Sequence, residues 1–538
     1  MVDANPRQEV LGRAARQREM TTLRPFCTSE FNMLQYRTVS CEKVTDTLID
    51  EVKELFDTSY GFWSASNPPR AELSGRPIFF PRKAYLEYFR GSGDYVGECD
   101  LALCYDGEKL IGEAVYVNKE TSRGKVALVV QLVVHKEYRR KGIGSALLYS
   151  IWGFSDYYAW GIVTSNPCTV MTLEKATSRW CSVPEIIQNK HFLAREVLSD
   201  IRFLDDSRDS WVINKIGSAG ESRIRTGFAT ERSPGTEALV EIESRLGRIG
   251  PKDEWLAFTF KSQKINSDSG FRKMLDESNL IVRDAYARMN MPSQRWMAKA
   301  DEEMDEILKL VPVSSSSAIC DFGAGTGRHV KALIRRGFTN VMGIDFVLGG
   351  DGGVAQGDCR LWRGPHLFEL IICLYDVIGS FRSESDNQQI LNNIFANLKP
   401  GGSAVISVMN LDFAGMSRAK VVGNQPDELY KLLSELLPSS NMAETGEVFD
   451  GRFALVDRQE GIVYRKEQFG GDDKRLRREL VVVDRRFTLK TISRMCQMAG
   501  FNVMASRYTR SGFHAPSLFN GLRASRWGKE ILLLLRKP

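Results

Sequence analysis

The sequence predicts an α/β protein with two different sheets: a mixed, mostly antiparallel sheet with helices in the first half and a doubly wound, parallel sheet in the second. Three observations carry this reading. Residues 320–327, Cys-Asp-Phe-Gly-Ala-Gly-Thr-Gly, set a glycine-rich loop between an apolar run and a helix-like stretch, and the next apolar run ends in Gly343-Ile344-Asp345. A strand, a glycine turn, a helix and a second strand closed by an acid make a nucleotide-type cradle, in which Asp345 can accept hydrogen bonds from a ribose diol. The same alternation runs on to residue 409, which requires a parallel sheet. In the first half, apolar runs are joined by a tight Asp106-Gly107 turn, a hairpin signal, and a single strand-turn-helix stands at Arg139–Gly144.

Bulk properties bound the answer. At 538 residues and roughly 100–200 residues per domain, the chain holds two large domains plus linking material. With 43% hydrophobic and 26% charged residues, it is neither largely disordered nor a membrane protein. Val126–Val134 is broken by Gln131 and Ile531–Leu535 is short, against about 20 apolar residues for a bilayer span. Residues 1–26 carry five arginines without an apolar core and read as a polar tail rather than a secretory signal. Ten scattered cysteines without a Cys-x-x-Cys pair fit reduced thiols and a cytoplasmic location, and five well-separated histidines offer no metal-ligand pair. A net charge of +6 argues against a nucleic-acid partner, and the basic cluster Lys474–Arg486 reads as the solvated face of a strand pair.

In the first half, residues 31–40 read as a strand and Val44–Phe56 as a helix with Val44, Leu48, Val52 and Phe56 on one side. Asp100–Tyr105 and Leu110–Val117 form the hairpin, Val126–Val134 a long buried strand, Ile143–Ile151 a helix, Ala159–Thr164 a strand and Val170–Trp180 a helix. Glu254–Phe260 is a further strand-like run whose place is open. Backbone amides from Arg139 to Ser145 begin a helix with unpaired hydrogens and can bind a diphosphate, and the glycines keep side chains out of the way. With the surrounding strands, this turn resembles the GNAT family of acetyltransferases, whose Arg/Gln-x-x-Gly-x-Gly/Ala signature is matched by Arg139, Gly142 and Gly144.

That resemblance implies an acetyl-CoA site formed by Leu132, Val133 and Val134, Arg139, Arg140, Lys141, Gly142, Ile143, Gly144, Ser145 and Asn166. The first three would hold the pantetheine arm by backbone pairing. Many members use a glutamate on the central strand as general base and a tyrosine on the later helix as general acid; here Gln131 stands on that strand and no tyrosine follows Asn166 through Trp180. Glu113 and Tyr138 are the substitutes, against which stands an exposed or capping role for each.

The second half opens with helical spacing over Leu280–Leu310, then Ala318–Phe322 as a strand, His329–Arg336 as a helix and Val341–Asp345 as a strand. Phe368–Tyr375, the helical Asn387–Leu398 and Ser403–Met409 continue the alternation, and Glu530–Arg536 closes the sheet. The loop is Asp-x-Gly-x-Gly-x-Gly, not the Gly-x-Gly-x-x-Gly of dinucleotide enzymes. From Leu280 to Pro538 the chain resembles class I S-adenosylmethionine (SAM)-dependent methyltransferases. The resemblance implies SAM bound by Asp321, Gly323, Ala324, Gly325 and Gly327 at its methionine part, Asp345 at the ribose, Gly357 and Asp358 at adenine, and Leu374 and Asp376 where cofactor meets substrate. For Asp321 the alternative is an acceptor that stabilises its own loop; for Asp376 it is a helix N-cap. No Asn-Pro-Pro-Tyr-type motif follows the fourth strand, which points to the small-molecule branch. The charged insertion Val448–Arg486 is either a lid over the pocket or an extension of the sheet.

The expected organisation is a tail (1–26), a GNAT-like domain with an extension (27–260), a linker (261–279) and a methyltransferase domain (280–538). The expected function is a bifunctional transferase that methylates a small molecule and N-acetylates with acetyl-CoA. Two alternatives stand beside it: a GNAT-like half that only senses acyl-CoA or docks substrate, and a pair that modifies a macromolecule. The oligomeric state is not legible.

Overall fold

β1 (Leu34–Val39) leads into α1 (Asp46–Ser59). Thr45 Oγ1 caps α1 by accepting the Leu48 N–H at 3.2 Å, and its Ile49, Val52, Leu55 and Phe56 are buried. After α2 (Arg82–Arg90), the hairpin is β2 (Asp100–Asp106) with β3 (Lys109–Thr121), and the long buried strand is β4 (Gly124–Val134). There follow α3 (Ile143–Trp152), β5 (Tyr157–Thr164), α4 (Pro167–Thr177), α5 (Val183–Gln188), β6 (Val212–Ile216), β7 (Ala219–Arg225), α6 (Glu237–Leu246) and β8 (Asp253–Phe260). The strands form one sheet in the order β1-β2-β3-β4-β5-β8-β7-β6, antiparallel except where β4 and β5 run side by side in parallel. The run 254–260, whose place the sequence left open, is thus an interior strand paired with β5. This computed structural model describes residues 34–538 apart from 66–67, 69, 92–98, 200–211, 217–218, 227–229, 231–235, 288–298, 347–352, 440–450, 470–477, 512–520 and 523–526. The expected tail and the basic residues 474–477 lie outside the described residues.

The stretch expected as a linker is largely folded. α7 (Asp268–Ala287) starts well inside it and buries Phe271, Met274, Leu275, Ile281 and Val282. Each such side chain contributes roughly 1.5–3 kcal/mol on burial, enough to outweigh the polar serines and asparagines that made the stretch read as loop.

The second half begins with α8 (Ala300–Leu310), β9 (Ile319–Phe322), α9 (Arg328–Arg335), β10 (Val341–Asp345), β11 (Val354–Gln356), β12 (Phe368–Cys373), α10 (Glu384–Asn397) and β13 (Leu398–Met409). Next come β14 (Lys420–Val421), α11 (Pro426–Glu435), β15 (Ala454–Asp457), β16 (Ile462–Phe469), β17 (Arg478–Arg485), α12 (Leu489–Met498), β18 (Asn502–Ser511), β19 (Gly521–Leu522) and β20 (Gly528–Arg536). The main sheet has the order β11-β10-β9-β12-β13-β20-β18-β19. Its first five strands are parallel and β20 runs antiparallel to both of its neighbours, β13 and β18; the strand order reverses beside β9 as in doubly wound sheets.

The insertion does not extend that sheet. β14-β15-β16-β17 form a separate four-stranded sheet wedged against the first half. Leu480–Val483 join one apolar cluster with α3, α4 and α7. The Asn279 side chain of α7 pairs with the backbone of Val483 at 2.9 and 2.8 Å, and Phe154 N–H donates to the Glu479 carbonyl at 2.8 Å. This packing overturns the expectation of a solvated basic face: Arg486 is 4% exposed, and the Arg485 side chain is also mostly covered. Among the described residues no helix is long and apolar enough to cross a membrane.

Candidate functional sites

In the first half the site begins where two parallel strands part. The β4–β5 ladder ends at Val129–Ile162, and Val130 is a bulge, because Val115 and Tyr116 of β3 pair with Gln131 and Val129. Leu132, Val133 and Val134 keep their β3 partners but have none in β5. Gly142, at φ 86°, then starts α3 with no side-chain cap. A residue with a Cβ is disfavoured in that conformation, and the first amides of α3, at Ile143 and Gly144, have no side-chain acceptor.

The other expected residues divide. Arg139 turns back, donating Nε to the Val134 carbonyl at 3.1 Å and Nη2 to the Ser59 carbonyl. Arg140 adopts φ 63° and is exposed, and the Lys141 ammonium lies over the Tyr138 ring at 4.9 Å. Gly144 brings α3 against α4, since a Cβ there would stand 3.1 Å from Thr172 Cγ2; Ser145 is buried. Asn166 caps α4, its Oδ1 accepting the Cys168 N–H at 2.9 Å. Tyr138 donates its hydroxyl to Asp106 at 2.6 Å, which ties it to the hairpin turn.

Glu113 is neither exposed nor a cap. It is completely buried; Oε1 accepts a hydrogen bond from Gln131 Nε2 at 2.7 Å and Oε2 has no partner. Gln131 also donates to the Tyr85 hydroxyl at 2.7 Å. Burial pushes the Glu113 carboxyl up to about 8, against the hydrogen bond from Gln131. Phe80 packs at 4.8 Å from Tyr85 and 5.5 Å from Tyr88, and Tyr60 and Tyr88 both feel the charges of Glu113 and Glu254. The missed signal is period-two spacing: Glu113, Val115 and Val117 share one face of β3, the face that packs on α1 and α2.

In the second half, Gly323 and Ala324 donate to the Ile344 carbonyl at 2.8 and 2.9 Å, which folds the loop over the β9–β10 edge. Gly325, at φ 53°, has open space where a Cβ would point. Its N–H donates to Asp345 Oδ2 at 2.7 Å. Gly327 starts α9 without a side-chain cap. The loop thus has the cradle that a bound nucleoside would fill. Gly357 packs on Trp362, Leu374 is buried, and the Asp358 carboxylate is held by Arg360 at 2.6–3.1 Å. Asp376 is no helix N-cap: it lies in a turn, and the next helix starts at Glu384 with Ser383 as its cap.

A buried network behind this loop went unseen in the sequence. His329 Nδ1 lies 3.2 Å from Asp321 and its Nε2 2.9 Å from Glu303 of α8. Arg328 reaches Glu303 at 2.7 Å and the Tyr375 hydroxyl at 2.6 Å, and that hydroxyl also bonds Glu303. Burial would raise the Glu303 carboxyl, but His329, Arg328 and Tyr375 together hold it down to about 2. Burial and Arg328 would lower His329, but Asp321 and Glu303, one at each ring nitrogen, raise it above its ordinary value. Tyr375, at φ 72°, is the strained residue this network holds in place.

Each of the two large sheets thus carries a helix opened by a left-handed glycine, Gly142 or Gly327, with no side-chain cap. Residues 58–152 match the acetyltransferase (GNAT) family model and residues 294–506 the methyltransferase domain model. The chain therefore carries a GNAT acetyltransferase domain followed by a methyltransferase domain, domain types that imply use of an acyl-CoA and of SAM. No curated protein matches. Similar solved structures include a SAM-dependent methyltransferase from Clostridium acetobutylicum (15% identity, 45% of this chain and 92% of that one, TM-score 0.30). The CcbJ methyltransferase from Streptomyces caelestis is another (14%, 45% and 95%, 0.31). A third is an amino pentose methyltransferase from Micromonospora echinaspora involved in calicheamicin biosynthesis (17%, 48% and 97%, 0.28).

Proposed function

We propose that the chain is a bifunctional transferase of small molecules, an acetyl-CoA-dependent N-acetyltransferase in residues 27–260 and a SAM-dependent methyltransferase in 280–538. The observation that carries the reading is that each half has a helix begun by an uncapped left-handed glycine, Gly142 or Gly327, at the carboxyl end of a parallel strand. In the first half the amides after Gly142 bind the diphosphate, and the free edge of Leu132–Val134 pairs with the extended arm of acetyl-CoA. Glu113, through its unpartnered oxygen, takes the proton of the attacking amine, directly or by way of water. In the second half Asp345 exchanges its bond to Gly325 for the ribose hydroxyls, and Asp321 and Tyr375 shape the methionine end. The bound sulfonium supplies an activated methyl group and leaves as a neutral thioether, so alignment and desolvation by these residues do most of the work.

Calorimetry on the whole protein tests both assignments. Asp345→Ala removes a charged acceptor, worth about 1.5–3 kcal/mol, and is expected to weaken SAM binding by roughly ten- to a hundredfold while acetyl-CoA binding stays as it was. Gly142→Glu puts a Cβ and a negative charge at the diphosphate turn and is expected to abolish acetyl-CoA binding with SAM binding retained. Unchanged affinities in either variant refute the corresponding site.

A further inference from the structure

Resting on the acetyltransferase reading, we propose that Gln131 and Tyr85 are positioning residues of acetyl transfer: the Gln131 amide occupies Oε1 of Glu113, which reserves Oε2 for the proton of the attacking amine, and Tyr85 holds that amide in place. The strand register brings the three side chains together. Before the bulge, Val117 of β3 pairs with Leu128 and Tyr116 with Val129. Paired side chains share a face and alternate along a strand, so simple alternation from Leu128 would send residue 131 to the face opposite Glu113. The extra residue, Val130, reverses the count: Gln131 pairs with Val115 and Val133 with Glu113, on the face that packs on α1 and α2. The β4–β5 ladder ends just before it, at Val129–Ile162. One inserted residue thus stands where β4 and β5 part and turns an amide beside that gap toward the Glu113 carboxyl.

A primary amide has two N–H hydrogens, and Gln131 uses both, one on Glu113 Oε1 and one on the Tyr85 hydroxyl, each at 2.7 Å. Glu113 Oε2 is left without a partner. An ionised carboxylate only accepts, so the amide has to present its nitrogen to the basic form of Glu113. Tyr85 is the anchor for the second hydrogen. It is fully buried, with Phe80 edge-on at 4.8 Å and Phe89 stacked at 6.4 Å, so packing fixes where its hydroxyl lies. Gln131 stands on the strand next to the gap and Glu113 one strand further in. An amine that enters the gap therefore meets a carboxyl with one oxygen already taken.

The surroundings of Glu113 favour its neutral form. Its strand partners Leu103 and Val133 are apolar. The titratable groups that face it are Tyr60 at the end of α1 and Tyr85 and Tyr88 on α2, each kept uncharged by burial, and Glu254 of β8 acts on Tyr60 and Tyr88 as well. Burial pushes the Glu113 carboxyl up, and the hydrogen bond from Gln131 works against it. Gln131 thus decides which oxygen is available and how much of the carboxyl is in its basic form.

The test uses the full chain. Acetyl-CoA binding is measured first by calorimetry, and its absence defeats the acetyltransferase reading together with this proposal. Release of the coenzyme A thiol is then followed with tyramine, putrescine and glucosamine as acceptors, and the fastest of them serves for pH profiles. In Gln131→Met, which keeps the length and removes the donor, the rising limb should move up by about 1–2 pH units, with the rate down about ten- to a hundredfold at pH 7 and recovering above the displaced limb. Tyr85→Phe deletes only a hydroxyl and keeps the core filled; it should move the limb the same way by less, and it reads the effect even where Gln131→Met unfolds. The double variant should behave like Gln131→Met alone, because Tyr85 acts through Gln131, and Gln131→Met should add nothing to Glu113→Gln. Unaltered acetyl-CoA affinity is the sign of an intact fold. A limb that stays in place in both single variants, a loss of rate equal at every pH, or a further loss when Gln131→Met is added to Glu113→Gln would each overturn the proposal. No acetylated amine while acetyl-CoA binds would overturn it along with the reading it rests on.

Discussion

Glu113→Gln is expected to lower acetyl transfer from acetyl-CoA by about 10²–10⁴-fold and to leave acetyl-CoA affinity unaltered. The substitution keeps the shape of a side chain that is 0% exposed and takes away only its capacity to accept a proton. Gln131 uses Glu113 Oε1 as its acceptor, so Oε2 is the atom left for the incoming amine or for a water between them. Because burial places this carboxyl at about 8, its basic form is the minority at neutral pH. The wild-type rate should therefore rise with pH through about 8. Loss of a proton by the amine itself also gives a rising limb, and the variant separates the two causes: a limb set by Glu113 vanishes in Glu113→Gln, whereas one set by the substrate remains. An amine panel acetylated equally fast by both proteins would leave the first half as a non-catalytic acyl-CoA sensor or docking module.

How much of this was legible beforehand depended on whether the signal was local. The Asp321–Gly327 loop, Asp345 and the Arg139–Gly144 turn announce themselves because a left-handed turn before a helix restricts the residue types at adjacent positions. The succession of strands and helices along both halves followed from periodicity of two against periodicity near four. What failed was long-range. The serine- and asparagine-containing stretch 261–279 looked like a linker, yet Phe271, Met274 and Leu275, with Ile281 and Val282 beyond it, join the apolar cluster that also holds β17, some two hundred positions away. Arg485 and Arg486 looked solvated because their neighbours are charged; they are covered because the insertion sheet is pressed between two domains. Glu113 was named as a substitute base because Gln131 holds the expected carboxylate position on β4, with an exposed or capping role weighed against it, and only the pairing of β3 with β4 shows that the two side chains meet. Glu303, His329 and Tyr375 are 26 to 72 residues apart, and no spacing rule joins them.

That last network makes the largest stability prediction. Removing one partner of a buried ionic cluster leaves the others desolvated and uncompensated, at a cost of about 3–5 kcal/mol, so Glu303→Ala should destabilise the methyltransferase domain by that amount in urea unfolding. Arg328 would lose its partner carboxylate, the His329 ring one of its two, and Tyr375 what holds it at φ 72°. Affinity for SAM should fall as well, since Asp321 and Tyr375 are set by the same contacts. The pH dependence is fixed by the directions of the shifts. Glu303 is depressed from 4.5 to about 2, so its contribution is complete above about pH 4.5 and disappears as pH falls through 2. His329 is raised above 6.5, so its contribution is complete below that value and is lost as pH rises through its elevated folded value. The stability difference between wild type and Glu303→Ala should accordingly be greatest between about pH 4.5 and 6.5 and shrink on both sides. A difference independent of pH would mean that Glu303 acts only by filling space. In that case Glu303→Gln, similar in size and without charge, should be as stable as the wild type, whereas a network held by charge predicts that glutamine recovers only the part due to packing and neutral hydrogen bonds.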